Sequence, residues 1–288
     1  MIQETAYAKI NLTLSVTGKR EDGYHDIDSV MHSISLHDSI TLEKGDGISL
    51  SILKGTAPAG NDNLMVKAAA LFLEKKGISG GVRMTLSKEI PSEAGMGGGS
   101  SDAAAVLRGM AALYDTKDSL SSLSSLGASL GADVPFCVRG GAARCQGIGE
   151  KLSPLPAWKG LPLLIVRPQT SVSTGKAYAL IDGLAVHPEN RTDLCAEGLK
   201  GRNLSRLLSS LSNDFEEALF PVNPLLKETA SVLHGLGRPA LMTGSGSAFF
   251  MILQNREEAL SFRRLLKDAH PLWFVEPAET TGGVSEMH

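Results

Sequence analysis

Cysteine is scarce in this chain: Cys137, Cys145 and Cys195 are odd in number and show no C-x-x-C spacing. A disulfide framework and a thiolate zinc site are therefore not expected, and buried structural thiols are. His32, His37, His187, His234, His270 and His288 lack H-x-x-x-H spacing, so they read as structural or solvent-facing. A basic excess is also missing, since 28 Lys+Arg stand against 31 Asp+Glu for a net charge of -3. That balance argues against a nucleic-acid partner. No apolar run approaches membrane-spanning length, and Glu4 and Lys9 interrupt what would have to be the apolar core of a signal segment. A cytoplasmic location without a membrane partner is expected.

What the chain does have is length and punctuation. Its 288 residues exceed the size at which one core stops growing, so two lobes with a cleft between them are expected. Thr5 to Val16 reads as a strand that breaks into the polar loop G-K-R-E-D-G-Y-H-D. Asp38 to Glu43 and Gly47 to Ile52 read as a strand pair around Gly45, Asp46 and Gly47. Asn63 to Lys75 shows helical spacing, and Gly81 to Lys88 another strand. Ser119 to Leu130 is a second helix candidate, followed by G-A-D-V-P-F and a glycine-rich stretch from Gly140 to Gly149. Pro154, Pro156 and Pro162 mark a boundary, dividing the chain into 1–151 and 152–288. In the second part, strands are expected at Leu163 to Val166, Ala240 to Thr243, Ala248 to Leu253 and Trp273 to Pro277. Helices are expected at Thr174 to Ile181, Leu204 to Leu211, Leu225 to His234 and Glu257 to Lys267, with a disordered tail after Glu279. This mixed order favours an α+β chain.

The segment P-S-E-A-G-M-G-G-G-S-S-D, Pro91 to Asp102, joins a strand to a helix whose apolar face is Ala103, Val106, Leu107, Met110 and Leu113. A simple turn needs one or two glycines, whereas Gly95, Gly97, Gly98 and Gly99 fall within five residues and two hydroxyls follow. Glycines let backbone amides converge on an anion, and a helix starting at Ser100 or Ser101 adds free N–H groups and a positive dipole end. Phosphate is the natural guest. The segment lacks the Gly-Lys-Ser/Thr ending of a P-loop and puts Ser100 where a dinucleotide fingerprint needs its third glycine.

With its following Ala-Ala, this segment closely resembles the phosphate-binding motif of the GHMP kinases, although Met96 stands where that family usually has Leu. A-Y-A-K-I-N-L resembles the family's first motif and M-T-G-S-G-S-A-F-F its third, in the same order. The implied fold is α+β and two-lobed: an N-terminal lobe like ribosomal protein S5 domain 2, a C-terminal ferredoxin-like lobe, and an active site in the cleft between them. Within the family, K-I-N-L, G-Y-H-D-I-D-S-V-M and G-A-D-V-P-F resemble members acting on a cytidine diphosphate alcohol. The implied reaction is phosphoryl transfer from ATP to the 2-hydroxyl of 4-diphosphocytidyl-2-C-methyl-D-erythritol, in the non-mevalonate route to isoprenoid precursors.

By that resemblance Asp133 is the base that accepts the hydroxyl proton, and Lys9 orients it and offsets phosphate charge. Pro91, Ser92, Glu93, Ala94, Gly95, Met96, Gly97, Gly98, Gly99, Ser100 and Ser101 are expected at the nucleotide, with Lys88 within reach of it. Asn11 follows Lys9 by two residues and so shares its side of a strand. Tyr24 and His25 are expected to recognise the cytosine, with Tyr178 as an opposing aromatic face and Thr174 as a further contact. Taken alone, Asp133 would read as a turn or cap residue and Lys9 as a solvated strand residue. Lys88 would read as an exposed strand-end lysine, and Tyr24–His25 as a surface pair. Gly244 to Ser247 is either a hairpin or a turn closing over the site. Mg²⁺ is expected with the nucleotide; Asp102 either helps hold it or complements the helix N-terminus.

Overall fold

The computed structural model describes residues 1–58, 60–184 and 190–284. Two long antiparallel strands, β1 (Ile2–Lys19) and β2 (His25–Gly45), form its spine. Then come β3 (Ser49–Lys54), α1 (Leu64–Lys76), β4 (Gly81–Ser87), α2 (Gly98–Tyr114), α3 (Leu120–Gly127), α4 (Val134–Arg139), β5 (Ala142–Gly147) and β6 (Lys151–Leu155). The chain continues through β7 (Pro162–Arg167), α5 (Thr174–Ile181), α6 (Thr192–Lys200), α7 (Leu204–Ser210), β8 (Ser212–Asn213), α8 (Asp214–Leu219) and α9 (Pro224–His234). It finishes with β9 (Ala240–Met242), β10 (Phe249–Ile252), α10 (Arg256–Ala269) and β11 (Phe274–Glu279).

The first sheet runs β3-β4-β2-β1-β8, with β5 on β2 and β6 on β5. Phe72 of α1, Leu107 and Met110 of α2 and Phe136 of α4 pack on it with Ile40, Leu42 and Leu86. The second sheet runs β11-β7-β10-β9, all antiparallel. Counted within itself that is strand order 4-1-3-2 with helices in both crossovers, which makes it ferredoxin-like. Ala8, Ile10 and Leu12 of β1 share a core with Leu163, Ile165 and Phe250, so β1 is covered on both faces and sits where the two sheets meet.

Three expectations change. The segments before and after Gly45–Gly47 are not paired, because β4 lies between them and β3 runs parallel to β4. A parallel pair needs a crossover, and α1 supplies it. The chain crosses the start of β4 so closely that a Cβ on Gly81 would lie 2.3 Å from the Gly47 carbonyl carbon. Next, α2 begins at Gly98 rather than Ser100 or Ser101, so two loop glycines form its first turn. Last, the chain after Glu279 is ordered as far as the described residues go. Thr280 is buried and takes a hydrogen bond from the Leu161 amide, and Thr281 N–H donates to Ser33. β6, with Pro154, still pairs with β5, so the change of sheet falls within residues 156–161.

Candidate active site

The glycine-rich loop expected to hold phosphate is held from below. Met96 is 1 % exposed, and its side chain joins the core of Ala8, Ile10 and Ile90 while its carbonyl accepts the Lys9 amide. The Ala94 carbonyl accepts the Ala248 amide, which fastens the loop to the Gly244–Ser247 turn. A Cβ on Gly95 would lie 2.0 Å from the Thr243 carbonyl oxygen, so glycine is required there by backbone contact as well as by its φ of +74°. Gly97 is the N-cap of α2, with φ +68° and no capping side chain. The first-turn amides of α2 therefore open on the cleft without intrahelical partners, an anion site by construction. Ser101 lies outside it: its hydroxyl donates to the Tyr7 carbonyl at 2.6 Å and pins α2 to β1.

Lys9 and Asp133 meet directly above that loop. Lys9 is buried and donates to Asn11 Oδ1 at 2.7 Å, and its Nζ lies 3.4 Å from Asp133 Oδ2. A Cβ on Gly97 would be 3.1 Å from Lys9 Cγ and 3.5 Å from Asp133 Oδ2. The pair thus abuts the anion site. Asp133 is the N-cap residue of α4, yet its side chain makes no capping bond and remains 28 % exposed. Asp133 thus holds the cap position of its isolated reading without using its side chain as a cap, and Lys9 is not the solvated lysine of its own. Asn11 is fixed in turn, donating to Ser29 Oγ at 2.8 Å, while its amide donates to Thr243 Oγ1 at 3.0 Å. β-Bulges between Tyr7 and Lys9 and between Asn11 and Thr13 bracket the two residues and aim them.

Lys88 is buried, contrary to its strand-end reading. Its Nζ donates to Asp38 Oδ2 at 2.6 Å and Asp102 Oδ2 at 2.7 Å. Asp38 Oδ1 accepts the Glu89 and Ile90 amides. Burial raises the Asp102 carboxyl, with Lys88 opposing and Asp38 adding to the rise. Two carboxylates face one lysine under the loop, and Asp102 Oδ1 is buried without a hydrogen-bond partner. No cluster of three or more metal-binding side chains exists among the described residues. This donor set fits a magnesium ion held chiefly by nucleotide phosphates and water, and does not build an all-protein cage.

The far end of the cleft is aromatic. His25 stacks on Tyr178 with ring centroids 4.6 Å apart, and Tyr178 meets the edge of Phe215 at 5.0 Å. Burial, with a smaller contribution from Asp133, pushes the Tyr178 hydroxyl up to about 12. Tyr24 is 61 % exposed and stacks on no ring among the described residues. The Thr174 and Ser245 hydroxyls are 3.0 Å apart, joining α5 to the Gly244–Ser247 turn. That turn is both a hairpin, between β9 and β10, and a wall of the cleft. One cleft of about 1390 Å³ takes in Lys9, Asn11, Tyr24, His25, Lys88, Pro91 to Ser100, Asp102, Asp133, Thr174 and Tyr178. That exceeds the roughly 300–1,000 Å³ of a single drug-sized site and suits two substrates end to end.

The family descriptions "GHMP kinases N terminal domain" and "GHMP kinases C terminal" match residues 63–141 and 195–271. The 4-diphosphocytidyl-2-C-methyl-D-erythritol kinase of Acetivibrio thermocellus is 36 % identical over 94 % of this chain and 96 % of its own. The chain belongs to the GHMP kinase family. The enzyme of the same name from Caldicellulosiruptor saccharolyticus is 39 % identical over 91 % of each chain. A crystal structure of 4-(cytidine 5'-diphospho)-2C-methyl-D-erythritol kinase superposes with a TM-score of 0.81 at 35 % identity, covering 98 % of this chain and 100 % of that one. Mevalonate kinase from L. major, at 17 % identity and TM-score 0.76, shares the fold.

Several residues of this GHMP kinase site were not singled out from sequence. Asp38 anchors Lys88, and Asp182 bonds His25 Nε2 at 2.7 Å. Asn213 donates to the Met242 and Gly244 carbonyls at 2.6 and 2.9 Å, and Glu216 accepts the Met242 amide at 2.6 Å. Apart from the Asx capping pattern at Asn213, nothing local marks them. The other histidines are structural or solvent-facing where described: His37 and His234 are exposed, whereas His32 is buried between Ser33 and Trp158, and burial lowers it to about 4. His187 and His288 lie outside the described residues. Cys137, Cys145 and Cys195 are buried thiols.

Proposed function

We propose that this chain phosphorylates the 2-hydroxyl of 4-diphosphocytidyl-2-C-methyl-D-erythritol with ATP, in the non-mevalonate route to isoprenoid precursors. The observation that carries the reading is the Lys9–Asp133 pair at 3.4 Å against Gly97, in the same cleft as the His25–Tyr178 stack. The donor and acceptor ends are thereby joined across one acid–base pair.

Phosphoryl transfer asks for in-line placement and charge stabilisation more than for covalent chemistry. The Pro91–Ser100 loop and the α2 N-terminus receive the nucleotide phosphates. Asp133, partly exposed and unengaged as a cap, accepts the hydroxyl proton at Oδ2. Lys9, held by Asn11, orients that carboxylate and faces the transferring group. Asn11 adds a polar contact for the alcohol, and Tyr24, His25, Tyr178 and Thr174 receive its cytidine end. Asp102, through its unengaged Oδ1 or through water, would help hold magnesium, whose charge offsets that of the phosphates. We assign residues 1–151 to an N-terminal, ATP-binding GHMP kinase domain and 152–288 to a C-terminal one that adds Thr174 and Tyr178, with the two family matches on either side of that division. No helix among the described residues is long and apolar enough to cross a membrane, in keeping with action in the cytoplasm.

The test is Asp133→Asn assayed with ATP and the diphosphocytidyl alcohol. Turnover falls by roughly 10²- to 10⁴-fold while ATP binding persists. Nearly full activity would remove Asp133 as the base. A wild-type preference for mevalonate, homoserine or a sugar would overturn the substrate while leaving the kinase class.

A further inference from the structure

His25 is held more firmly than a base-contacting residue needs for packing alone. One face lies on Tyr178 at an interplanar angle of 15°, and its Nε2 is 2.7 Å from Asp182 Oδ1. The other oxygen of that carboxylate, Oδ2, takes a hydrogen bond from Lys19 Nζ at 2.5 Å. Asp182 is the C-cap of α5, the negative end of the helix dipole, where an acidic residue is disfavoured. Lys19 and His25, brought from β1 and β2, offset that placement and tie the first sheet to α5 at the cleft wall. The Lys19 and His25 hydrogen bonds hold the Asp182 carboxyl below its ordinary value, so it is an anion that only accepts.

An anion at Nε2 fixes the ring's chemistry. A carboxylate can only accept, so the Nε2 of His25 must carry a proton, and in the neutral ring Nδ1 is then a bare acceptor. With Nε2 engaged and one face covered, Nδ1 is the ring's remaining polar atom, on a residue that lines the cleft. An acceptor at that position suits an exocyclic amino group and disfavours a carbonyl oxygen in the same place.

We propose that Asp182 is a positioning and specificity-determining residue: its bond to His25 Nε2, braced by Lys19, presents Nδ1 as the acceptor for the 4-amino group of a cytosine and against the 4-oxygen of a uracil. The inference rests on the substrate reading above. Asp182→Asn keeps the shape, and with Lys19, a pure donor, holding the amide oxygen at the Oδ2 position, the variant turns its N–H to Nε2 and favours the opposite tautomer.

The experiment compares wild type and Asp182→Asn on the cytidine diphosphate alcohol and its uridine analogue. Alongside it, ¹⁵N-histidine spectra assign His25 by its loss in His25→Gln. The variant is expected to raise KM for the cytidine substrate roughly 10- to 100-fold, the size of one lost charge-assisted network. Its kcat and its KM for ATP stay within about twofold, and the cytidine-over-uridine preference narrows. The wild-type spectrum shows His25 protonated at Nε2 and bare at Nδ1. Equal loss on both substrates, an unchanged variant, or a neutral wild-type ring protonated at Nδ1 would each overturn the proposal. If Asp182→Asn does not fold, the wild-type spectrum decides alone. A wild-type enzyme that ignores both cytidine and uridine substrates would instead sink the substrate reading, with the tautomer still read directly.

Discussion

Two glycines of the phosphate loop separate what the fold needs from what the nucleotide needs. Gly99 sits in the first turn of α2, and a Cβ there would meet only Leu64 Cδ1, at 3.6 Å, an ordinary contact. Alanine is favoured over glycine in a helix by roughly 0.5–1 kcal/mol. Gly99→Ala should therefore raise the melting temperature by about 1–3 °C. Gly99 also lines the cleft, and on the proposed reading the same methyl would crowd phosphate at the loop backbone by about 1–3 kcal/mol, or roughly 10- to 100-fold in nucleotide affinity. Gly95→Ala is the contrast. Its methyl would lie 2.0 Å from the Thr243 carbonyl oxygen and 3.1 Å from the Gly246 amide, at φ +74°, and backbone on both sides cannot retreat. Left-handed strain and overpacking together cost about 2–5 kcal/mol of stability. Thermal melts and calorimetry with an unreactive ATP analogue read both quantities. A Gly99→Ala protein that melts lower, or that binds nucleotide as wild type does, would show that this glycine serves the turn and not the ligand.

Asp38→Asn leaves Lys88 with one carboxylate and weakens the acceptor for the Glu89 and Ile90 amides. Because Asp102 still faces Lys88, the cost is that of the weakened buried hydrogen bonds, about 1–3 kcal/mol, so the urea midpoint falls; a midpoint within error of wild type would refute the anchoring role of Asp38. Burial pushes Glu216 up to about 7 from 4.5, despite the Met242 amide that its carboxylate accepts. The native state thus holds this proton more tightly than the unfolded chain. The associated stability, on the order of 3 kcal/mol, is complete below pH 4.5 and lost as pH rises through about 7. Glu216→Gln keeps an acceptor for Met242 and should flatten stability measured from pH 5 to 8; an unchanged slope would place the titration elsewhere. Lys9→Ala should lower kcat far more than it raises KM for ATP in steady-state assays.

The division between what sequence shows and what folding adds follows the range of the interactions. The loop glycines, the Lys9–Asn11 spacing and the Thr174–Ile181 helix are visible because each is settled within a few residues, by φ, by strand period or by helical spacing. The sequence pattern puts β3 beside β2, because two apolar segments around a glycine turn look like a hairpin; the parallel crossover through α1 puts it beside β4 instead. The helices α4 and α8, six residues each, carry too few turns for a periodic signal and are stabilised by what they pack on. The same logic explains the site. Asp38 and Asp182 have ordinary surroundings in sequence; what gives them meaning is Lys88, 50 residues away, and His25, 157 residues away. The proposed phosphate end is made of backbone, whose requirement for glycine is written locally. The proposed acceptor end is made of side chains whose charges are offset by partners from other elements, so the specificity we assign to it would reside in contacts that form only once the chain has folded.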